Sequence, residues 1–405
     1  MPPLPPIDFS RPIDWAGQVI VTLLTSIGVQ DGAAGAIATL LGVVVLASYG
    51  LTITLLLIWA ERKLVGRLQD RLGPNRVGPF GLLQTIADAL KLFTKEDITP
   101  NGADKVVYNL APLLAVVSVL LVWAVIPFAS TIVGTNINVG VVYVVGIGGL
   151  GILSIMMAGW SSNNKYALLG AFRTAAQLVA YEVPMILSLL VVVLLARSMG
   201  MNDIVQGQTV WYIVLAPIAG LLFFITSMAE VGRAPFDLLE AESEIVAGYH
   251  IEYTGLKFGM FFVAEFLHAF TIAALAATLF FGGWRGPWAG TYPLLGVIYF
   301  FVKTSILFFV VIWVRGSLPR IRIDHMLAFN WKFLTPVALA AVVLTALVDK
   351  IIPTPAADVA AHVSRAVMLF LANLALGAGV IAILATAARR QRAKEEAGKA
   401  QGAGR

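Results

Sequence analysis

AIATLLGVVVLASYGLTITLLLIWA, residues 36–60, runs for 25 residues without one charged side chain. A hydrocarbon core about 30 Å thick takes about 20 such residues in a helix, so this stretch is a membrane span. Further apolar windows place helices at 106–129, 137–160, 176–197, 211–229, 258–282, 292–314, 333–351 and 364–388. The expected architecture is an all-α polytopic membrane protein of about nine transmembrane helices. Composition agrees: of 405 residues, 59% are hydrophobic and only 13% charged, about half the charged share of a soluble domain. No connection is long enough for a sizeable soluble domain.

The connections carry the orientation. Those at 61–105, 161–175, 230–257 and 315–332, with the end after 388, hold 22 lysines and arginines; the alternate set holds five. The basic set is expected to face the cytoplasm, which puts the N-terminus outside and the C-terminus inside a bacterial cell membrane. The chain divides accordingly. Residues 1–35 form an external segment, with Val19–Val29 as a short interfacial helix. Residues 36–352 form an eight-span core, 353–388 an external loop and the ninth span, and 389–405 a basic, disordered cytoplasmic tail. The opening MPPLPPIDFSRPIDW lacks the basic start of a cleaved signal. The net charge of +5 is topology bias and implies no nucleic-acid partner. No pair of broken helices marks the repeats of a secondary transporter.

With no cysteine in the sequence, disulfides, thiolate metal sites and cysteine-held iron–sulfur clusters are excluded. Of the four histidines only His268 lies well inside an apolar run, which disfavours a bis-histidine haem. No metal site is expected, and any electron carriers belong to partner chains.

Carboxylates are the unusual feature. AEVGRAPFDLLEAESEIVAGYHIEY, residues 229–253, contains Glu230, Asp237, Glu240, Glu242, Glu244 and Glu252. Were it helical, Asp237, Glu240 and Glu244 would share a face while Glu242 points elsewhere, and clustered acids cannot all ionise cheaply near neutral pH. A solvated loop is the plain alternative. The interleaved Phe236, Tyr249 and Tyr253 argue for partial burial instead. Glu182 and Glu265 stand inside apolar runs, where an ionised acid costs about 2.5–3.5 kcal/mol and function is the default expectation; snorkelling is an alternative for Glu182. His268, one turn from Glu265, either relays protons or hydrogen-bonds a neighbour. Lys303, mid-span, needs a carboxylate or carbonyl partner, and a structural ion pair is expected.

The first basic connection, AERKLVGRLQDRLGPNRVGPFGLLQTIADALKLFTKED (60–97), turns at its Gly-Pro pairs. Leu82, Ile86, Leu90 and Phe93 then recur at helical spacing, the pattern of an amphipathic interfacial helix. This stretch resembles the first loop of the H subunit of bacterial NADH–quinone oxidoreductase, respiratory complex I. SSNNKYALLGAFRTAAQLVAYEV (161–183), GRAPFDLLEAESEIVAGYHIEY (232–253) and SLPRIRIDHMLAFNWKFLTP (317–336) resemble that family too, in the same order.

The resemblance implies a subunit without a redox centre, set between a peripheral electron-transfer arm and a membrane arm. Quinone is its substrate. NADH, FMN and iron–sulfur clusters are expected only on partner subunits: quinone-site subunits on the cytoplasmic face, antiporter-like and small membrane subunits laterally. The family's polar path carries over onto Glu182, Glu230, Asp237, Glu240, Glu242, Glu244, Glu252 and Glu265. Arg62, Asp88, Arg173 and Arg233 match positions near the quinone chamber, which quinone enters beside the first span and the amphipathic helix. Val231-Gly232 and His325 depart from the family's common residues. Two rivals stand beside this reading: the membrane anchor of a related hydrogenase-type complex, and a stand-alone ion transporter.

Overall fold

The computed structural model describes residues 8, 11–239, 246–351 and 359–402. Among them every regular element is helical, as the apolar runs predict. Among the described residues, eight helices are long and apolar enough to cross a membrane, and a further apolar helix is shorter. With its span pattern, this makes the chain a multi-pass membrane protein.

α1 (Pro12–Ser26) buries none of its residues and packs against α2 (Asp31–Leu68). It starts earlier than Val19 because Pro12 fixes the backbone at the first helical position. α2 is 38 residues long, about 57 Å by helical rise, so it continues past the 36–60 span and carries Glu61 and Arg62 on its last turns. α3 (Gln84–Thr94) follows the Gly-Pro turns. Its apolar row stays exposed, with Leu90 at 60% and Phe93 at 65%, a surface suited to lipid headgroups and tails rather than to the bundle.

α4 (Lys105–Trp123) and α5 (Gly140–Ser161) form a close antiparallel pair; α6 (Lys165–Ala196) packs on α5. The expected loop at 161–175 is therefore mostly helix. Only residues 162–164 connect α5 to α6, and Asn164 caps α6 by accepting from the Tyr166 amide at 2.9 Å. The sequence 165–175 is rich in Ala and Leu, good helix formers, but too polar for a span search to include. Glu182 thus sits at mid-helix, deeper than its place in a span starting at 176.

After α7 (Met201–Gly207) the fifth span breaks in two: α8 (Tyr212–Leu215) and α9 (Pro217–Val231). Pro217 removes an amide and forces the break at Ala216. α9 alone is 15 residues, about 22 Å, and ends at Gly232 in the left-handed conformation (φ 70°). A side chain there would collide with Leu239, so glycine is required. α10 (Gly255–Phe280) is the central helix, packed on α2, α4, α9 and α11 (Pro293–Ser317). Its Thr271 hydroxyl receives the Trp123 indole N–H at 2.8 Å within a stack of buried rings.

α12 (Ile323–Phe329) runs through a π turn at Asn330–Leu334 into α13 (Thr335–Ile351). α14 (Val359–Gly402) covers α13 and the broken span. The tail expected to be disordered continues this helix to Gly402. Its Ala, Arg, Lys, Glu and Gln content favours helix despite its polarity.

Candidate functional site

Four of the expected relay acids converge. Glu182 of α6, Glu230 of α9, Asp237 of the following loop and Glu265 of α10 line one cavity of ≈ 110 Å³, with His268 and Tyr249. A second cavity of ≈ 40 Å³ continues from it, sharing Glu182, Glu230 and His268 and otherwise bounded mainly by apolar side chains. Glu230 Oε2 is buried with no hydrogen-bond partner among the described residues.

Local geometry explains the convergence. The Gln177 amide of α6 donates to the carbonyls of Ala229 at 2.7 Å and Phe236 at 2.9 Å, pinning both ends of the turn after α9. Asp237 lies in the irregular stretch 232–239, so helical spacing does not describe its relation to later acids. Gly170 of α6 lets the backbone of Gly248 and Tyr249 seat directly upon it; an added Cβ would stand 2.8 Å from Gly248. That contact puts Tyr249 at the cavity wall.

The end of the cavity nearest the basic connections abuts an ion network that the sequence does not announce. Arg233, 3% exposed, meets Glu61 at 3.4 Å and Glu265 at 3.2 Å. Its guanidinium lies 4.5 Å over the Phe266 ring. Arg315 of α11 pairs with Glu61 in turn. Sequence reasoning misses Glu61 and Arg315 because each reads as an ordinary member of a basic connection. The available signal is an acid placed directly after an uncharged 25-residue run.

The remaining expected residues lie elsewhere. Arg62 pairs with Asp88 at 2.5 Å and Lys91 with Asp88 at 3.3 Å, tying α3 to the end of α2. Partial burial raises the Asp88 carboxyl, but Arg62 and Lys91 outweigh it and hold the group below its ordinary value. Lys63 donates to the Pro74 carbonyl at 2.8 Å, which folds the Gly-Pro turns back onto α2. Arg173 is half-buried on α6, outside the cavity lining. Glu252 also lies outside that lining. Its carboxylate accepts from the Asn164 amide at 2.6 Å, and its carbonyl from the Tyr108 hydroxyl at 2.8 Å. It braces the α5–α6 junction. Burial pushes the neighbouring Tyr253 phenol up to about 12 despite Ser161, and the His250 imidazole down to about 4. Glu240, Glu242 and Glu244 lie outside the described residues.

Lys303 corrects another expectation. No carboxylate accepts it among the described residues. Its ammonium donates instead to the carbonyls of Phe281, Gly283 and Arg285 at 2.8–2.9 Å. Three donors meet three acceptors.

Chemically, the arrangement joins a charge-paired cluster at one end of a cavity to Glu182 and Glu230 further in, neither of which meets a lysine or arginine among the cavity's lining residues. A charge change at the first could alter protonation of the second through a low-dielectric path.

A family profile described as NADH dehydrogenase matches residues 41–346. The NADH-quinone oxidoreductase H subunit of Dehalococcoides mccartyi (strain CBDB1) is 49% identical over 345 residues, covering 84% of this chain and 96% of that protein. The corresponding H subunit of Brevibacillus brevis is 47% identical over 292 residues, 72% and 87% of the two chains. One H subunit of Rhodopseudomonas palustris (strain BisB5) is 45% identical over 317 residues, 76% and 98%.

Proposed function

Because the chain belongs to the family of NADH-quinone oxidoreductase H subunits, we propose that its acidic cavity couples quinone reduction to proton translocation in that enzyme. As one subunit among several it works with other chains of the complex, in a membrane. NADH oxidation, FMN and iron–sulfur chemistry fall to those partners, and this chain contributes the quinone-facing and proton-binding groups. The observation that carries the reading is one cavity lined by Glu182, Glu230, Asp237 and Glu265, acids from three helices and a loop, deep in an otherwise apolar bundle.

In this reading quinone enters beside α2 and α3, where the exposed apolar row of α3 meets lipid and Arg62–Asp88 fixes its position. The head group reaches the region of Glu61, Arg233 and Arg315, with Arg173 as a further basic group. Reduction there changes local charge. Arg233 readjusts between Glu61 and Glu265, and the altered field shifts the proton affinity of Asp237, Glu230 and Glu182. Glu240, Glu242, Glu244 and Glu252 are further proposed members of the relay, the first three lying outside the described residues. Moving one charge against 100 mV takes about 2.3 kcal/mol, and a two-unit change in proton affinity supplies about 2.7 kcal/mol. Coupled carboxylates are therefore sufficient in principle.

The 22-to-5 charge asymmetry supports a cytoplasmic loop face, an external N-terminus and residence in a bacterial cell membrane. The hydrogenase-type anchor loses its support with the family assignment. A stand-alone transporter predicts ion flux by the purified chain alone.

Glu230→Gln tests the proposal in membranes energised with NADH. Quinone reduction should survive in part while the number of protons pumped per electron falls. Unchanged pumping in Glu230→Gln and in Glu182→Gln, singly and together, would refute the relay.

A further inference from the structure

The second cavity runs away from the loops toward Leu275, Leu279 and Met201, where its lining is apolar. Beyond Leu279 the backbone is irregular. Residues 281–285 leave α10 and approach Lys303, which lies ten residues from the Pro293 end of α11, about 15 Å along the helix. Bare carbonyls at that depth are tolerated only when the protein satisfies them. Lys303 satisfies three of them at once. On the other side of the same cap, buried Gln208 donates to the Thr278 and Leu279 carbonyls at 2.9 and 3.1 Å. Arg285 donates to the Gln206 and Gln208 carbonyls at 2.9 and 2.5 Å. Two connections that share no sequence neighbourhood are thus stitched together beside Leu279, which lines the cavity.

We propose that Lys303 is a positioning residue that seals the acidic cavity against the aqueous phase opposite the loops, so that protons bound at Glu182 and Glu230 do not leak across. The inference rests on the relay reading of those acids. Four observations support it. The ammonium has its three donors saturated by main chain, which leaves none for a moving proton to exploit. Its acceptors, Phe281, Gly283 and Arg285, lie within the five residues that follow the helix lining the cavity. The lining on the seal side is apolar, with no titratable group between His268 and the cap among the lining residues. The Trp211 ring lies 5.4 Å from the ammonium and shields it.

Removing the ammonium exposes three carbonyls that can then recruit water, and hydrates the cap. The test uses the intact complex in sealed vesicles. Passive proton flux is read from the collapse of an imposed pH gradient, without NADH or quinone. Lys303→Met removes three charge-assisted hydrogen bonds, and since loss of even one changes an opening equilibrium about tenfold, that flux should rise by about tenfold or more. NADH-to-quinone electron transfer should persist and the protons pumped per electron should fall. Lys303→Arg, which keeps the donors, should restore tightness. Gln208→Leu opens the same cap from the other side and should leak likewise, which keeps the test decisive if Lys303→Met fails to assemble.

Glu230→Gln added to Lys303→Met should close the leak. A leak that this change does not lessen runs elsewhere and overturns the seal, as do tight vesicles in both Lys303→Met and Gln208→Leu. The passive measurement needs no pumping. Failure of the relay therefore shows separately, as normal pumping in Glu230→Gln and Glu182→Gln with Lys303 intact.

Discussion

Arg233→Met perturbs the centre of the ion network, and the geometry sets its cost. The substitution removes a guanidinium 3% exposed that faces Glu61 at 3.4 Å and Glu265 at 3.2 Å and lies over Phe266. Arg315 still pairs with Glu61, so the lost ion pair weighs mainly on Glu265. Breaking one side of a buried pair costs about 3–5 kcal/mol. The Glu265 side chain is 22% exposed, which moves the expectation to the lower end, about 3 kcal/mol. Met fills most of the vacated volume, so packing adds little. Arg233→Met/Glu265→Gln removes the facing carboxylate charge as well and should recover about 2 kcal/mol, the size of coupling expected within one network. The assay is the half-life of NADH-to-quinone activity on heating membranes, with NADH oxidation by an artificial acceptor as control for the peripheral arm. Recovery of about 2 kcal/mol in the inactivation barrier lengthens the half-life of the double variant about 30-fold over the single. A double variant no longer-lived than the single would refute the assignment of the lost energy to Glu265. A harmless Arg233→Met would refute the network as a source of stability at all.

Gly170→Ala places a Cβ 2.8 Å from the Gly248 backbone; it should displace Tyr249 from the cavity wall and lower assembled complex in membranes by several-fold, read on native gels. His250 is held near 4 by burial, so the folded chain binds fewer protons than the unfolded one between that value and its ordinary 6.5. Stability should fall as pH drops through that window, and His250→Phe should flatten the acid-inactivation curve there. Asn373→Leu removes the amide that reaches the Leu215 carbonyl at 3.2 Å beside the break before α9; it should cost about 1 kcal/mol, seen as earlier thermal release of α14 to protease.

The spans are legible because an uncharged run of membrane length has few other uses. Their ends are not. Lys165–Ala175 is helical through tertiary packing on α5, which no hydropathy window senses, and Pro217 breaks a span that its composition makes look continuous. Glu182 and Glu265 stand out for the physical reason that makes them costly. Glu61 and Arg315 do not, since each has an innocent explanation at the end of a span and acquires meaning only through pairing 254 positions apart, between α2 and α11. Lys303 is visible as an anomaly, but main-chain acceptors leave no trace in the pattern of side chains. Glu252, an acid of the same motif, lies outside the cavity lining and accepts from Asn164 at the α5–α6 junction, a placement no spacing rule foretells.

The ion pairs of Glu61, Arg233, Glu265 and Arg315 join two anions to two cations, and these four formal charges sum to zero among the described residues. A balanced group projects little field beyond itself. A single unit charge brought beside it is then felt almost unopposed, at about 1.7 kcal/mol for 10 Å and an effective dielectric constant of 20. Electroneutrality also constrains how the sequence can drift. Losing one member unbalances the group, whereas exchanging an acid and a base together does not, so change at positions 61 and 315 is tolerated as a pair or not at all.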